Sequence, residues 1–140
     1  YILFGLFIAF VFWIILKIFS FKDFIKGLIL YDENSIYFNN DSVLISTKEK
    51  QLISFLSENP FITAPRVNTI ISKQNFAKSH FTSLRSKLID NLNNKLFQLT
   101  KIEKCIIETK DPRDNRIKAY KADSSIIKKK TGFLRFLFKR

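Results

Sequence analysis

The chain has 140 residues, and 24 Lys and Arg against 12 Asp and Glu give it a formal charge of +12. That is one domain's worth of sequence plus appendages. With one His, one Cys and three glycines (Gly5, Gly27 and Gly132), it offers no conventional zinc cluster, no Cys/His nucleophile pair and no phosphate-cradling glycine loop. An enzyme is therefore not expected, and neither a metal nor a cofactor is called for.

Residues 1–16, YILFGLFIAFVFWIIL, carry no charge. As a helix they span about 24 Å, and extension through Phe19 approaches the hydrocarbon thickness of a bilayer. This predicts a transmembrane helix over 1–19. Phe10 faces lipid, Trp13 and Tyr1 suit the interface, and Lys17 can snorkel to the headgroups. The competing readings are a signal-peptide core and a buried helix. A signal peptide needs a cationic segment before its apolar core and small residues at a cleavage site, and the bulky Phe-rich run is hard to pack inside so small a domain. The full charge of +12 falls on residues 17–140. Lys17, Lys22 and Lys26 follow the apolar run closely, so the positive-inside rule puts the C-terminal part in the cytoplasm of a single-pass protein of the bacterial inner membrane. A lone Cys105 agrees with that reducing compartment. The chain opens on Tyr1, which leaves room for a preceding segment; a sensor there would suit signalling, and almost nothing there would suit an accessory subunit.

Residues 20–27 read as a juxtamembrane helix or linker, without the Gly, Ser and Pro content of a flexible tether. Leu28–Tyr31, Ser35–Phe38 and Ser42–Ile45 then have strand character, and the turn sequences DEN and NND separate them. Ile36, Phe38, Val43 and Ile45 mark the buried face of a small antiparallel sheet. A first helix starts at Ser46, which with Glu49 has the form of a capping box; Leu52, Phe55 and Leu56 share one face, and Asn59-Pro60 ends it. A second helix follows Thr63, with Pro65 tolerated in its first turn and Val67, Ile70 and Ile71 as its stripe. A third runs from about Asn75 to Leu92 on Ala77, Phe81, Leu84, Leu88 and Leu92. Its other side carries Lys78, Ser79, Thr82, Ser83, Arg85, Ser86 and Lys87. Residues 93–104 are expected to extend that helix or form a short turn, burying Leu96, Phe97, Leu99 and Ile102. Cys105–Thr109 and Arg116–Ala122 read as a hairpin around KDPRDN, with Cys105 buried and inert.

The segment 123–140 differs in character. Lys128, Lys129, Lys130 and Arg135 alternate with Phe133 and Phe136 in a basic amphipathic tail suited to an anionic membrane surface or a partner's groove. Packing on the domain, or disorder, is the alternative.

Three stretches carry a family resemblance: ISTKE at 45–49 followed by QLISFL at 51–56, HFTSLRSKL at 80–88, and Tyr120 near the end of the hairpin. In that order, with strands, three helices and a terminal hairpin, residues 28–122 resemble the winged helix-turn-helix domain of OmpR/PhoB-type response regulators and of the membrane-linked ToxR and CadC types. That family opens on L-T-P-K-E, and its recognition helix reads H-I-x-x-L-R-x-K-L. The resemblance implies an α+β fold: a transmembrane helix, then a winged helix with a small N-terminal antiparallel sheet and a C-terminal β-hairpin wing. Ser83 stands where the family often has a base-reading arginine. The wing lacks Gly-x-Gly-Tyr, and its DPRDNR resembles the MarR-type wing instead. The domain also follows the membrane helix, whereas ToxR-like proteins usually place it before.

On this reading Lys78, Arg85 and Lys87 meet DNA phosphates, and Arg113 and Arg116 at the wing tip reach a neighbouring groove. Ser79, Thr82, Ser83 and Ser86 permit close approach but discriminate little between bases. His80 packs or touches a phosphate. A solvated basic face is the plain alternative. The expected function is a membrane-anchored transcriptional regulator that transduces a signal, with DNA and the lipid bilayer as partners and a homodimer as the binding form. The second expectation is an accessory or structural subunit of an inner-membrane complex, using the same domain to contact a larger membrane-protein partner.

Overall fold

The computed structural model describes residues 1–25, 27–72, 77–123 and 125–129, with the backbone alone at 21–25. An uncharged run without proline leaves the i→i−4 ladder unbroken, and α1 (Ile2–Ile25) is a single 24-residue helix. It continues through most of the stretch read as a separate linker, because FKDFI contains no helix breaker. The break comes at Gly27, whose φ of +86° lies in the left-handed region that favours glycine. Its N–H donates to Asn39 Oδ1 at 3.2 Å, which fixes the chain as it turns into the first strand. Residues 2–20 are long and apolar enough to cross a membrane, and none of that span is buried against the rest of the protein.

The first sheet has the order β3-β2-β1-β7, built from β1 (Ile29–Tyr31), β2 (Ser35–Phe38), β3 (Asp41–Leu44) and β7 (Ile127–Lys129). Its first three strands form the expected antiparallel meander, with Tyr31 opposite Ile36 and Ile36 opposite Val43. The Asp32 carboxylate closes the first turn, accepting from the N–H groups of Asn34 and Ser35 at 3.0 Å each. The start of the segment read as a tail packs on the domain as a fourth strand. Lys128 and Lys129 belong to β7, which pairs parallel with β1, Ile29 opposite Ile127. Strand β1 has a second edge to satisfy, and the apolar Ile127 (2% exposed) supplies a core residue there. Lys130, Phe133, Arg135 and Phe136 lie outside the described residues.

Helix α2 (Thr47–Glu58) begins with a complete capping box: Glu49 N–H donates to Ser46 Oγ, and Ser46 N–H to Glu49 Oε2, each at 3.2 Å. The same buried carboxylate takes Lys95 Nζ of a later helix at 2.7 Å, so the cap is tied to the core as well as to the helix. Ser46→Ala should lower the unfolding free energy by about 1 kcal/mol in chemical denaturation. A two-residue strand, β4 (Ile62–Thr63), leads into α3 (Ala64–Ile71). Helix α4 (Lys78–Thr100) ends at Lys101 in the left-handed conformation. Of the two expectations for residues 93–104, the helical extension holds as far as Thr100, because Leu92, Leu96 and Leu99 prolong one buried stripe at helical spacing. Phe97 and Ile102, expected inside, are 43% and 49% exposed; they fall off that stripe.

The second sheet has the order β4-β6-β5. Strands β5 (Ile107–Asp111) and β6 (Asp114–Lys121) extend the expected hairpin inward until Asp111 faces Asp114 across Pro112 and Arg113. Strand β4 pairs with β6, Ile62 opposite Tyr120. One core joins both sheets to the helices, with Ile36, Leu52, Leu56, Val67, Leu92, Leu96 and Ile127 nearly inaccessible. The fold is α+β, with an apolar N-terminal helix and two small sheets.

Candidate nucleic-acid interface

The N-terminal half of α4 presents one polar face. Lys78, Ser79, His80, Thr82, Ser83, Ser86 and Lys87 are all exposed, and they fall at successive i+3 and i+4 steps, so the face is continuous. It has little bulk. Thr82 returns its hydroxyl to Lys78 O at 2.9 Å, and the serines leave the backbone open to close approach. Asp90, also exposed, is the acidic group one turn beyond Lys87.

Arg85 departs from the sequence expectation. It is 8% exposed, with Nε donating to Tyr120 Oη at 3.0 Å and Nη1 to Asn68 Oδ1 at 2.9 Å. It lies four residues after Phe81 and three before Leu88, on the same stripe as buried Ile89 and Leu92, so its stem follows the core face. Arg85 therefore joins α4 to α3 and β6 as a polar strut, and is not a surface cation. No carboxylate pairs with it among the described residues. Asn68 was the signal available in sequence: a polar side chain next to Val67 in a short apolar helix.

The chain leading into the β5–β6 hairpin returns along α4. Three contacts fix the direction: Thr100 Oγ1 with Cys105 Sγ at 3.6 Å, Asn93 with the Ile106 backbone, and Arg85 with Tyr120. Residues 105, 106 and 120 thus meet α4 at Thr100, Asn93 and Arg85 in turn, which ties the base of the hairpin to that helix. Arg113 is exposed, and its N–H donates to Asp111 Oδ1 at 2.9 Å. Arg116 is 90% exposed at its side chain, yet its guanidinium is forked onto Asp114, Nε to Oδ1 at 3.0 Å and Nη2 to Oδ2 at 3.1 Å. That guanidinium first, and the Arg116 N–H second, hold the Asp114 carboxyl below the usual range. Arg116 is thus aimed by Asp114 and shares its charge with it. Lys110, not singled out in the sequence, adds an exposed cation on β5; strand alternation next to the turn could have marked it. Lys118 pairs with Glu108 at 3.2 Å.

The remaining expected sites lie elsewhere. Phe10 stacks on Trp13 at 6.2 Å between centroids, and Lys17 Nζ sits 5.5 Å from the Trp13 ring. Lys128 and Lys129 are exposed on β7, at the far edge of the first sheet. Cys105 is half-buried in the loop before β5; burial pushes its thiol up, against the Thr100 hydroxyl, so it stays protonated at neutral pH. Among the described residues no group of three His, Cys, Asp or Glu side chains gathers as for a metal ion.

Compared with protein-family models, curated proteins and solved structures, the chain gives no significant match to any of them.

Proposed function

We propose that this chain is a membrane-anchored winged-helix DNA-binding regulator, with α4 as recognition helix, the β5–β6 hairpin as wing and α1 as a single transmembrane anchor in a bacterial inner membrane. The observation that carries the proposal is the slim, exposed Lys/Ser/Thr face on α4, in a domain that also has a hairpin with exposed Arg113 and Arg116 near its tip. The short side chains let the helix backbone approach a groove, while Lys78 and Lys87 neutralise phosphates along it. Such a face binds mostly through the DNA backbone. It gains sequence preference by pairing, for which an anchor that confines two copies to a membrane raises the effective concentration.

The test is a salt titration of duplex binding by the full chain in detergent. Lys78→Ala and Lys87→Ala should each weaken binding on any sequence and flatten the log–log salt slope by about 0.9. Slopes that stay unchanged in both variants would remove α4 from the DNA interface. A second reading, an accessory subunit that uses this domain for protein contact, draws on two features: Ser83 offers no base-reading group, and Arg116 is already engaged by Asp114. A stoichiometric partner that co-purifies in detergent, without nucleic acid at moderate salt, would favour it over the regulator.

A further inference from the structure

At the base of the β5–β6 hairpin lies an apolar groove of about 410 Å³, with Ile29, Ile102, Ile107 and Ile126 among its walls. Two of these side chains stay largely in the open, Ile102 at 49% and Ile107 at 47%. The place of the groove follows from strand register. Ile107 pairs with Lys121 at the base of the hairpin, four strand residues or about 14 Å from the tip. Ile102 follows the C-terminal end of α4, about 34 Å along that helix from Lys78.

Two observations say what covers this groove. Ile29 lies four residues after Ile25, where α1 ends, and four residues of extended chain span at most about 14 Å. The residues of α1 beyond Ser20 add only about 8 Å to an apolar span, a length that falls within the headgroup layer. The groove is therefore tethered next to whatever α1 is embedded in. Its lining is also basic: Lys104 and Lys121 are exposed on it, against Asp123. Asp123 is itself engaged by Ser125.

We infer that the groove is a docking surface for an anionic bilayer, seating the hairpin base in the headgroups and turning the α4 face away from the membrane. The inference rests on the anchoring role of α1 and not on DNA binding. Apolar side chains enter the boundary between headgroups and acyl chains, and the two lysines meet lipid phosphates. A domain seated this way keeps its cationic face clear of the anionic surface that would otherwise compete for it.

The experiment places a fluorophore on the full chain in nanodiscs, at Ile102→Cys in a Cys105→Ser background, with Ser83→Cys on the α4 face as the remote position. Lipids bearing a nitroxide near the headgroup serve as quencher. In discs containing phosphatidylglycerol, quenching at 102 should exceed that at 83 several-fold, and it should fall to the level of 83 when Lys104 and Lys121 are both replaced by Glu. A second label at Ile107→Cys should follow 102, which guards against local disturbance at either site. Equal quenching at 102 and 83 would overturn the proposal. So would a blue-shifted but unquenched label at 102, since residues 130–140 or a second copy would then be the cover. A chain that does not enter the discs would sink the anchor and the docking surface together, whereas a chain that enters with 102 unquenched would sink the docking surface alone.

Discussion

Arg85→Ala should cost the domain about 3 kcal/mol, although the residue is an arginine in a basic helix face. The residue is 8% exposed, and its guanidinium donates to Tyr120 Oη and Asn68 Oδ1, neutral groups on two other elements. Truncation removes two charge-assisted bonds, strands two polar groups at the junction of α3, α4 and β6, and leaves the volume of the stem empty. Tyr120→Phe removes one partner and leaves Nε without an acceptor, for about 2 kcal/mol. The double variant should cost less than the sum, because both changes break the same bond. Lys87→Ala, two residues along the same helix but exposed, should stay within about 0.5 kcal/mol of the parent. Chemical denaturation of the four proteins checks the set. If Arg85→Ala is as stable as Lys87→Ala, the strut does not exist. Under the proposed function Arg85 meets no phosphate, so any loss of duplex binding in Arg85→Ala should leave the salt slope of the folded fraction unchanged.

Asn93→Leu should cost a similar amount, about 3 kcal/mol, for a different reason. The Asn93 amide makes a reciprocal pair with the Ile106 backbone: Nδ2 donates to Ile106 O at 3.0 Å, and Ile106 N–H donates to Oδ1 at 2.8 Å, both buried. In effect the side chain acts as a fragment of strand, satisfying a backbone donor and acceptor where the loop after α4 has no ladder to join. Leucine fits the volume but leaves both groups unpaired and out of water, at a penalty of about 1–3 kcal/mol for each. Amide hydrogen exchange gives the direct readout. The Ile106 N–H should lose its protection in Asn93→Leu, while amides in the middle of α2 should lose only what the global destabilisation imposes. Retained protection at Ile106 would mean the pair is not what holds the loop. The consequence for function lies in the hairpin, since residues 101–106 set where its base begins.

These two residues also mark how far the sequence could be read. The strand positions in β1, β2 and β3, the capping box at Ser46, the apolar stripe of α3 and the existence of the hairpin were all legible. Each is written within a few residues: alternation, an S-x-x-E spacing, a turn sequence. The polar face of α4 was legible as well, from Lys78 to Lys87, except at Arg85. There the residue type argued for solvent while the spacing from Phe81 and to Leu88 argued for the core, and the spacing prevailed because Tyr120 and Asn68 stood ready to receive the guanidinium. The end of α4 was open between a helical extension and a short turn; Leu96 and Leu99 keep the stripe going to Thr100, while Asn93 is used across the chain. Strand β7 was missed since IKK is too short to show alternation and is ordered by the free edge of β1.

By itself, then, the amino-acid order determined an uncharged run at residues 1–16 within a helix long and apolar enough to cross a bilayer, the local elements that follow it and the excess of positive charge. Periodicity and capping are short-range properties, and they survive whatever the rest of the chain does. Tertiary structure alone decided which cations face water. It turned Arg85 inward onto a tyrosine 35 residues away, occupied Arg116 with Asp114, and left Ile102 and Ile107 open in a groove that Ile29 also lines. Burial of a charged side chain depends on partners brought together only by folding, and no spacing along the chain encodes their distance.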